Sequence, residues 1–389
     1  MSDSLTNDQR RDAVAASFPV EDRWGRVRAV MAGQQLDRII AVGSRYATWL
    51  TGYHRYFGGL TATLIDPTGG VEVVASPDEA PLVEAVTGAA RIHVYGEGGF
   101  GLDLDPLGSL VAALPGLGVL GSGARVGVAG IAPVGLHGAG EADLVPVDEQ
   151  LSRIMAVKDR DEAEKVAHAY NLCLEAQAAV NRGVQDGASE LELFTRAHAT
   201  AQLAHGAPVD FVSDLLSGPN SASVCCPVAV AGDRRPKRGD PVVADIAVSA
   251  AGYWGDTCRT HVRDDNEHLK ALLGELASIL GEAVAGLRPG VRASDAHAAM
   301  ARSLAATFPE ATPLPHHGGH GLGLGGCDSP HIIPRDDTTL EAGMILAIEP
   351  GAYFPGQYGI RLENEYLVTP AGGIELNEAL ASVMTGAGQ

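Results

Sequence analysis

Apolar residues recur along this chain in two rhythms. From Glu21 to Gln35 they fall at helical spacing, with Trp24, Val27, Val30 and Met31 on one stripe. Short strand-like runs follow at Arg38 to Val42, Thr61 to Ile65, Val71 to Val74, Arg91 to Tyr95 and Ala124 to Val128. Helical patterns intervene at Asp78 to Thr87 and Pro106 to Ala113. Such alternation predicts an α/β domain that ends near the acidic turn Glu141 to Asp143. The polar first eighteen or so residues are expected to fray.

Beyond Leu151 the rhythm changes. Asp159 to Arg182 reads as a long helix, and Ser189 to His205 as a second with Ser189 and Glu192 as a capping box. Glu267 to Leu287 is a third, stopped by Pro289-Gly290, and Ser294 to Phe308 a fourth with a Ser cap. Strands lie between and after them, so this half reads as α+β with an antiparallel sheet.

The middle of that half, Val242 to His261, reads as a hairpin turning at Ala250, Ala251 and Gly252. With Ala250 and Ala251 as the central turn residues, Asp245 sits directly opposite Asp256; with Ala251 and Gly252, both carboxylates still share one face. Facing carboxylates repel, and a bound cation answers the repulsion. A solvated acidic hairpin is the bland alternative.

Composition narrows the setting. A length of 389 residues favours two domains, and 46% hydrophobic with 20% charged residues describes a soluble globular protein. The formal net charge of -20 argues against nucleic acid or anionic membrane as a partner. Five cysteines without framework spacing suggest a reducing compartment. The N-terminus lacks the apolar core of a signal peptide and no run approaches a membrane span, so a cytoplasmic location is expected. Gly96 to Gly101 fits G-x-G-x-x-G, but no acid follows at dinucleotide spacing, and 49 glycines make chance matches common.

Three further polar stretches stand out. His316, His317 and His320 lie among glycines that forbid a helix; as an extended segment His316 and His320 share a face. Met344 to Gly351 is an apolar strand ending in Glu349. Ile360 to Tyr366 puts Arg361, Glu363 and Glu365 on one strand face, which a surface charge ladder would also explain.

Together and in this order, these segments resemble the pita-bread metallohydrolase superfamily of prolidase, aminopeptidase P, methionine aminopeptidase and creatinase. The carrying motifs are Asp245, then Asp256 in GYWGDTCRT, His320 in GGHGLGL, Glu349 in IEPGAY and Glu363 in IRLEN. RVRAVMAGQQLDRIIAVGSRYATWLTGY and IMAVKDRDEAEKVAHA resemble the two-domain branch, which excludes methionine aminopeptidase. The resemblance implies an α+β fold. A creatinase-like α/β domain, residues 19–150, would precede a pita-bread domain, residues 151–389, with a curved antiparallel sheet covered by helices. It implies two divalent metals, Mn²⁺ before Co²⁺, Fe²⁺ or Zn²⁺, on Asp245, Asp256, His320, Glu349 and Glu363, an oxygen-rich donor set. A shared, acidified water would attack the carbonyl. Glu349 would carry the proton, and Arg361 would steady Glu363 or Asp256. A homodimer is also implied.

The chain departs from the pattern where two histidines are expected. Cys225, followed by Cys226, stands at the first position and Cys327 at the second. His316, His317 and His331 are the candidates to compensate. Either cysteine lines the substrate pocket as a reactive thiol or is a small buried hydrophobe. Three readings follow: hydrolysis of Xaa-Pro peptide bonds, hydrolysis or lysis of a small C–N substrate in the manner of creatinase or ectoine hydrolase, and non-catalytic binding.

Overall fold

The computed structural model describes residues 6–54, 59–68, 70–87, 91–98, 103–130, 136, 140–222, 231–264 and 266–384. The chain divides into two units, Val20–Met155 and a larger one built from Met1–Pro19 with Ala156–Gln389. Among the described residues no helix is long and apolar enough to cross a membrane.

The first unit realises the alternating pattern. Strands β1 (Arg38–Val42), β2 (Ala62–Ile65), β3 (Val71–Ala75), β4 (Arg91–Val94), β5 (Arg125–Gly130) and β6 (Asp143–Pro146) form one sheet in the order β4-β3-β2-β1-β5-β6. Their apolar residues Ile40, Val42, Leu64, Val74, Val126 and Val128 build its core. The acidic turn expected to end this region instead leads into β6, which pairs with β5 in parallel. Gly99 to Gly101 of the glycine-rich match lie outside the described residues.

The N-terminal segment does not fray as expected. Asn7–Ala15 is a helix opened by a capping box in which Thr6 and Gln9 each accept the other's backbone N–H. Val14 is fully buried and shares a core with Ala379 and Leu380 of the C-terminal helix Leu376–Met384.

The larger unit rests on two apolar-on-one-face sheets. Strands β7 (Asp210–Ser217), β8 (Pro241–Ala250) and β9 (Tyr253–Val262) are antiparallel in that order. Val242, Ala244, Ile246 and Val248 pack against the helices Arg160–Asp186 and Glu190–His205. By the two-residue period Asp245 and Ala247 face the other way. The second sheet runs β12-β11-β13-β16-β17, from β11 (Gly319–Gly321), β12 (Asp328–His331), β13 (Ile345–Ile348), β16 (Asn364–Thr369) and β17 (Gly372–Glu375). Its Leu346, Ile348, Tyr366 and Val368 pack under the helices Glu267–Ala285 and Ala293–Thr307. A small sheet joins β10 (Thr312–Pro313), β14 (Gly351–Phe354) and β15 (Tyr358–Arg361). The α+β architecture expected from the sequence is therefore present.

Two local expectations are corrected. Ser294 does not cap its helix: Arg292 holds the N-cap position without a side-chain bond, and Ser294 Oγ donates to Asp337 at 2.8 Å. Arg361, Glu363 and Glu365 do not share one strand, because the backbone leaves β15 after Arg361 and enters β16 at Asn364. All three side chains are buried, so the surface charge ladder is excluded.

Candidate metal centre

The β8–β9 hairpin turns at Ala251 and Gly252, whose φ angles of 51° and 86° suit the tight two-residue turn that right-twisted strands prefer. Of the two registers the sequence allowed, this fixes the second. Asp245 pairs with Cys258 and Asp256 with Ala247, so the two acids are diagonal neighbours on one face rather than directly opposed. The carboxylate directly across from Asp245 belongs to Asp214 on β7.

Arg361 lies between those two acids. Its Nη1 is 3.2 Å from Asp245 Oδ2 and its Nη2 is 3.3 Å from Asp214 Oδ2, with Glu349 Oε2 at 3.8 Å from Nη1. Arg361 thus neutralises the Asp214–Asp245 pair, and it acts on Glu363 by charge, pulling its carboxyl down, with no direct ion pair to Glu363 or Asp256 among the described residues. Glu363 is held through its backbone instead. Its N–H donates to the Cys258 carbonyl at 2.9 Å, and its own carbonyl accepts from Thr257 Oγ1 at 2.8 Å. Asp256 is fixed by Glu365, whose Oε1 accepts the Asp256 N–H at 2.6 Å.

His320 enters from β11, a strand that only glycine neighbours allow. A Cβ on Gly319 would sit 2.1 Å from the Ala347 carbonyl oxygen, and one on Gly321 would sit 2.4 Å from that of Ser329. His320 Nδ1 donates to the Gly321 carbonyl at 3.0 Å, which leaves Nε2 as the acceptor nitrogen. Nε2 points at Asp256 Oδ2, 3.7 Å away, and Glu349 Oε1, 3.8 Å away. Glu349 follows the last residue of β13, so an apolar strand delivers its carboxylate to the same place.

All five expected ligands therefore converge, from β8, β9, β11, the end of β13 and the β15–β16 junction. Donor atoms of Asp256, His320 and Glu363 lie within 4.8 Å of one another, as do those of Asp245, Glu349 and Glu363, so Glu363 is common to both groups. Asp256 Oδ1 and Glu363 Oε2 are buried without a hydrogen-bond partner among the described residues. Burial, then the neighbouring carboxylates, push the Asp256 and Glu363 carboxyls well above their ordinary range. Burial also lifts Asp245 to about 6, against the pull of Arg361. Glu349 goes the other way: burial would raise it, but His317, His316 and His320 outweigh that and hold it at about 2. Buried carboxyls with unpartnered oxygens and one imidazole acceptor form a donor set that fits divalent cations.

The remaining candidates separate. His316 has both ring nitrogens occupied, Nε2 by Tyr353 Oη at 2.9 Å and Nδ1 by the His317 carbonyl at 2.6 Å; burial lowers its pKa to about 4. Neighbouring His317, another of the histidines expected to compensate, has its Nδ1 2.7 Å from Glu349 Oε1. Cys327 is exposed, which excludes the buried-hydrophobe reading for that thiol. Cys225 and Cys226 lie outside the described residues. Asp214 and Glu365 were missed: one acid in the apolar run FVSDLLS has no partner in sequence, and Glu365 reads as a charge-ladder member.

The profile of the family described as Metallopeptidase family M24 matches residues 164–370. The Xaa-Pro dipeptidase of Pyrococcus horikoshii is 29% identical over 233 residues, 60% of this chain and 65% of that protein. A putative dipeptidase, YkvY, of Bacillus subtilis is 28% identical over 243 residues, 62% of this chain and 66% of that protein. The chain thus covers just under two thirds of the length of these curated relatives. A solved prolidase from Pyrococcus furiosus superposes with a TM-score of 0.74 over 90% of this chain and 98% of that one, at 21% identity. That likeness establishes the two-domain pita-bread fold.

Proposed function

The chain belongs to metallopeptidase family M24, the pita-bread superfamily of prolidase and aminopeptidase P, and from that premise we propose that it is a dinuclear metal-dependent hydrolase of Xaa-Pro peptide bonds. The observation that carries this reading is the convergence of Asp245, Asp256, His320, Glu349 and Glu363 with buried, unpartnered oxygens. In this reading Asp256, His320 and Glu363 would hold one ion and Asp245, Glu349 and Glu363 the other, with Mn²⁺ the favoured metal. When bound, such ions supply Lewis-acid polarisation of a carbonyl and acidify a water.

The chain's own residues prepare that chemistry. The Gly321 carbonyl fixes the His320 tautomer, Arg361 locks Asp245 in place, and Glu365 anchors the backbone of Asp256. Glu349, at the strand end between both ligand groups, takes and returns the proton at the scissile bond. Residues 19–150 act as the creatinase-like N-terminal domain and 151–389 as the catalytic domain of a cytoplasmic homodimer.

A second reading, turnover of a small C–N substrate, is favoured by the cysteines at positions 225 and 327. The test is an assay of Xaa-Pro dipeptides beside creatine-like and ectoine-like compounds, on metal-stripped and Mn²⁺-reloaded protein. Dipeptide cleavage should depend on added metal, with about two ions bound per chain, and Asp245→Asn or His320→Ala should lose metal and activity together. Full activity after stripping would overturn the metal reading; turnover confined to the non-peptide compounds would establish the second.

A further inference from the structure

Strand β12 places beside the candidate centre the third of the histidines expected to compensate, to which the proposed mechanism gives no part. His331 pairs directly with His320 across β11–β12, and His320 pairs in turn with Ala347 and Ala347 with Glu365. Directly paired residues present their side chains to the same face, so this row of four strands puts His331 on the face that carries His320 and Glu365. The next residue confirms the orientation: Ile332 is fully buried in the opposite, helix-covered core with Met300 and Ile348. His331 itself is half-buried.

The local backbone explains how the ring is held. After the His320–His331 pair the ladder slips, and the following pair is Gly321 with Asp328. Ser329 and Pro330 bulge out, which brings Cys327 back towards His331, with Sγ 3.7 Å from Nδ1. The His331 N–H donates to Asp336 Oδ2 at 2.7 Å, which pins the backbone. A thiol donating to Nδ1 leaves the ring proton on Nε2. Among the described residues no hydrogen bond uses that nitrogen. The other two histidines near the centre are committed, His316 at both nitrogens and His317 against Glu349.

We propose that His331, oriented by Cys327, is a substrate-contacting residue at the rim of this centre and donates its Nε2 proton to a carbonyl or carboxylate oxygen of the bound peptide. The assignment rests on the peptidase reading. It gives Cys327 a supporting part: the thiol selects the tautomer and the imidazole makes the contact. A donor to a charged or developing-charge oxygen is worth roughly a 10- to 100-fold change in kcat/KM.

The experiment compares His331→Ala, His331→Gln and Cys327→Ala with the wild type, all Mn²⁺-loaded, on Ala-Pro and on its C-terminal amide. Metal content and thermal stability are measured in parallel. His331→Ala should lose at least tenfold in kcat/KM with metal content unchanged. His331→Gln, which keeps an N–H donor, should recover part of the loss, and Cys327→Ala should cost only a few-fold. A loss seen on Ala-Pro but absent on the amide identifies the oxygen as the carboxylate; an equal loss on both identifies a carbonyl. If His331→Ala stays within twofold of the wild type on both substrates, or loses activity only in proportion to lost metal, the assignment is overturned while the peptidase reading stands. A wild type that cleaves neither substrate overturns the peptidase reading itself and this assignment with it.

Discussion

Replacing Gly255 by alanine tests how the hairpin that carries Asp256 is held against its helix. A Cβ built on Gly255 would lie 2.2 Å from Tyr170 N, 2.4 Å from Ala169 C and 2.6 Å from Tyr170 Cα. These are backbone atoms of the Arg160–Asp186 helix, and carbon contacts settle near 3.5–4.0 Å, so helix and strand must part by about 1 Å. No side-chain rotation can absorb the clash. Overpacking of this kind costs roughly 1–3 kcal/mol. The same helix clamps both hairpin strands through Gln177, whose Nε2 donates to the Ala244 carbonyl at 2.8 Å and to the Thr257 carbonyl at 2.9 Å. Stretching that clamp adds about 1 kcal/mol per bond. We expect Gly255→Ala to destabilise the protein by roughly 3–5 kcal/mol in urea unfolding, and to weaken metal retention because Asp256 is the next residue. Gly274→Ala is the control: nothing lies within 4 Å of its added Cβ in the Glu267–Ala285 helix. That change should stabilise by about 0.5–1 kcal/mol. A Gly255→Ala protein with a wild-type urea midpoint would refute the close-approach argument.

Two other outcomes follow from buried charge. Arg361→Ala leaves Asp214 and Asp245 without their shared cation. In the metal-stripped protein we expect a loss of about 3–5 kcal/mol in urea unfolding, shrinking when Mn²⁺ is restored; equal losses in both states would refute it. His261 is held near pKa 4, first by burial and then by Arg259, with Nε2 bonded to Gln177 Oε1 at 2.8 Å. The folded form favours the neutral ring, so its contribution is complete above the ordinary value of 6.5 and is lost as pH falls from there towards 4. Wild type should therefore lose up to about 3 kcal/mol more than His261→Gln between pH 7 and pH 4, and parallel pH profiles of the two would count against it.

Much of the centre was legible because β-strand period alone decides which side chains share a face. Asp245 and Asp256 fall on one face in either register the turn allowed, so the pairing of face was safe while the partner was not. The register itself turned on backbone conformation: Ala-Ala-Gly permits two turns, and only the positive φ of Ala251 chose between them. Asp214 could not be found this way, since it meets Asp245 through a β7–β8 register that spans a long connection. The exit of the chain from β15 before Glu363 was equally hidden, because nothing in RLENEY marks a break. The first helix, by contrast, was signalled: Thr6 and Gln9 have capping-box spacing, and Val14 supplies the apolar contact that a frayed tail lacks.

The charge around the centre explains why we propose two ions rather than one. Asp214, Asp245, Asp256, Glu349, Glu363 and Glu365 all gather here, and Arg361 lies among them. Lys158, 1% exposed, is close enough to Glu365 to act against the upward push that burial gives its carboxyl. Two cations against six carboxylates leave four negative charges, with His320 neutral so that Nε2 can accept. One dication would leave half of that excess buried, where an uncompensated charge costs several kcal/mol. Protons can take the remaining places, and the raised carboxyls of Asp245, Asp256 and Glu363 are the ones that would hold them. Those three are also candidate ligands, so protons and metal compete for the same oxygens. In the proposed reading two dications would satisfy them all at neutral pH, and Glu363, common to both ligand groups, would be available to either.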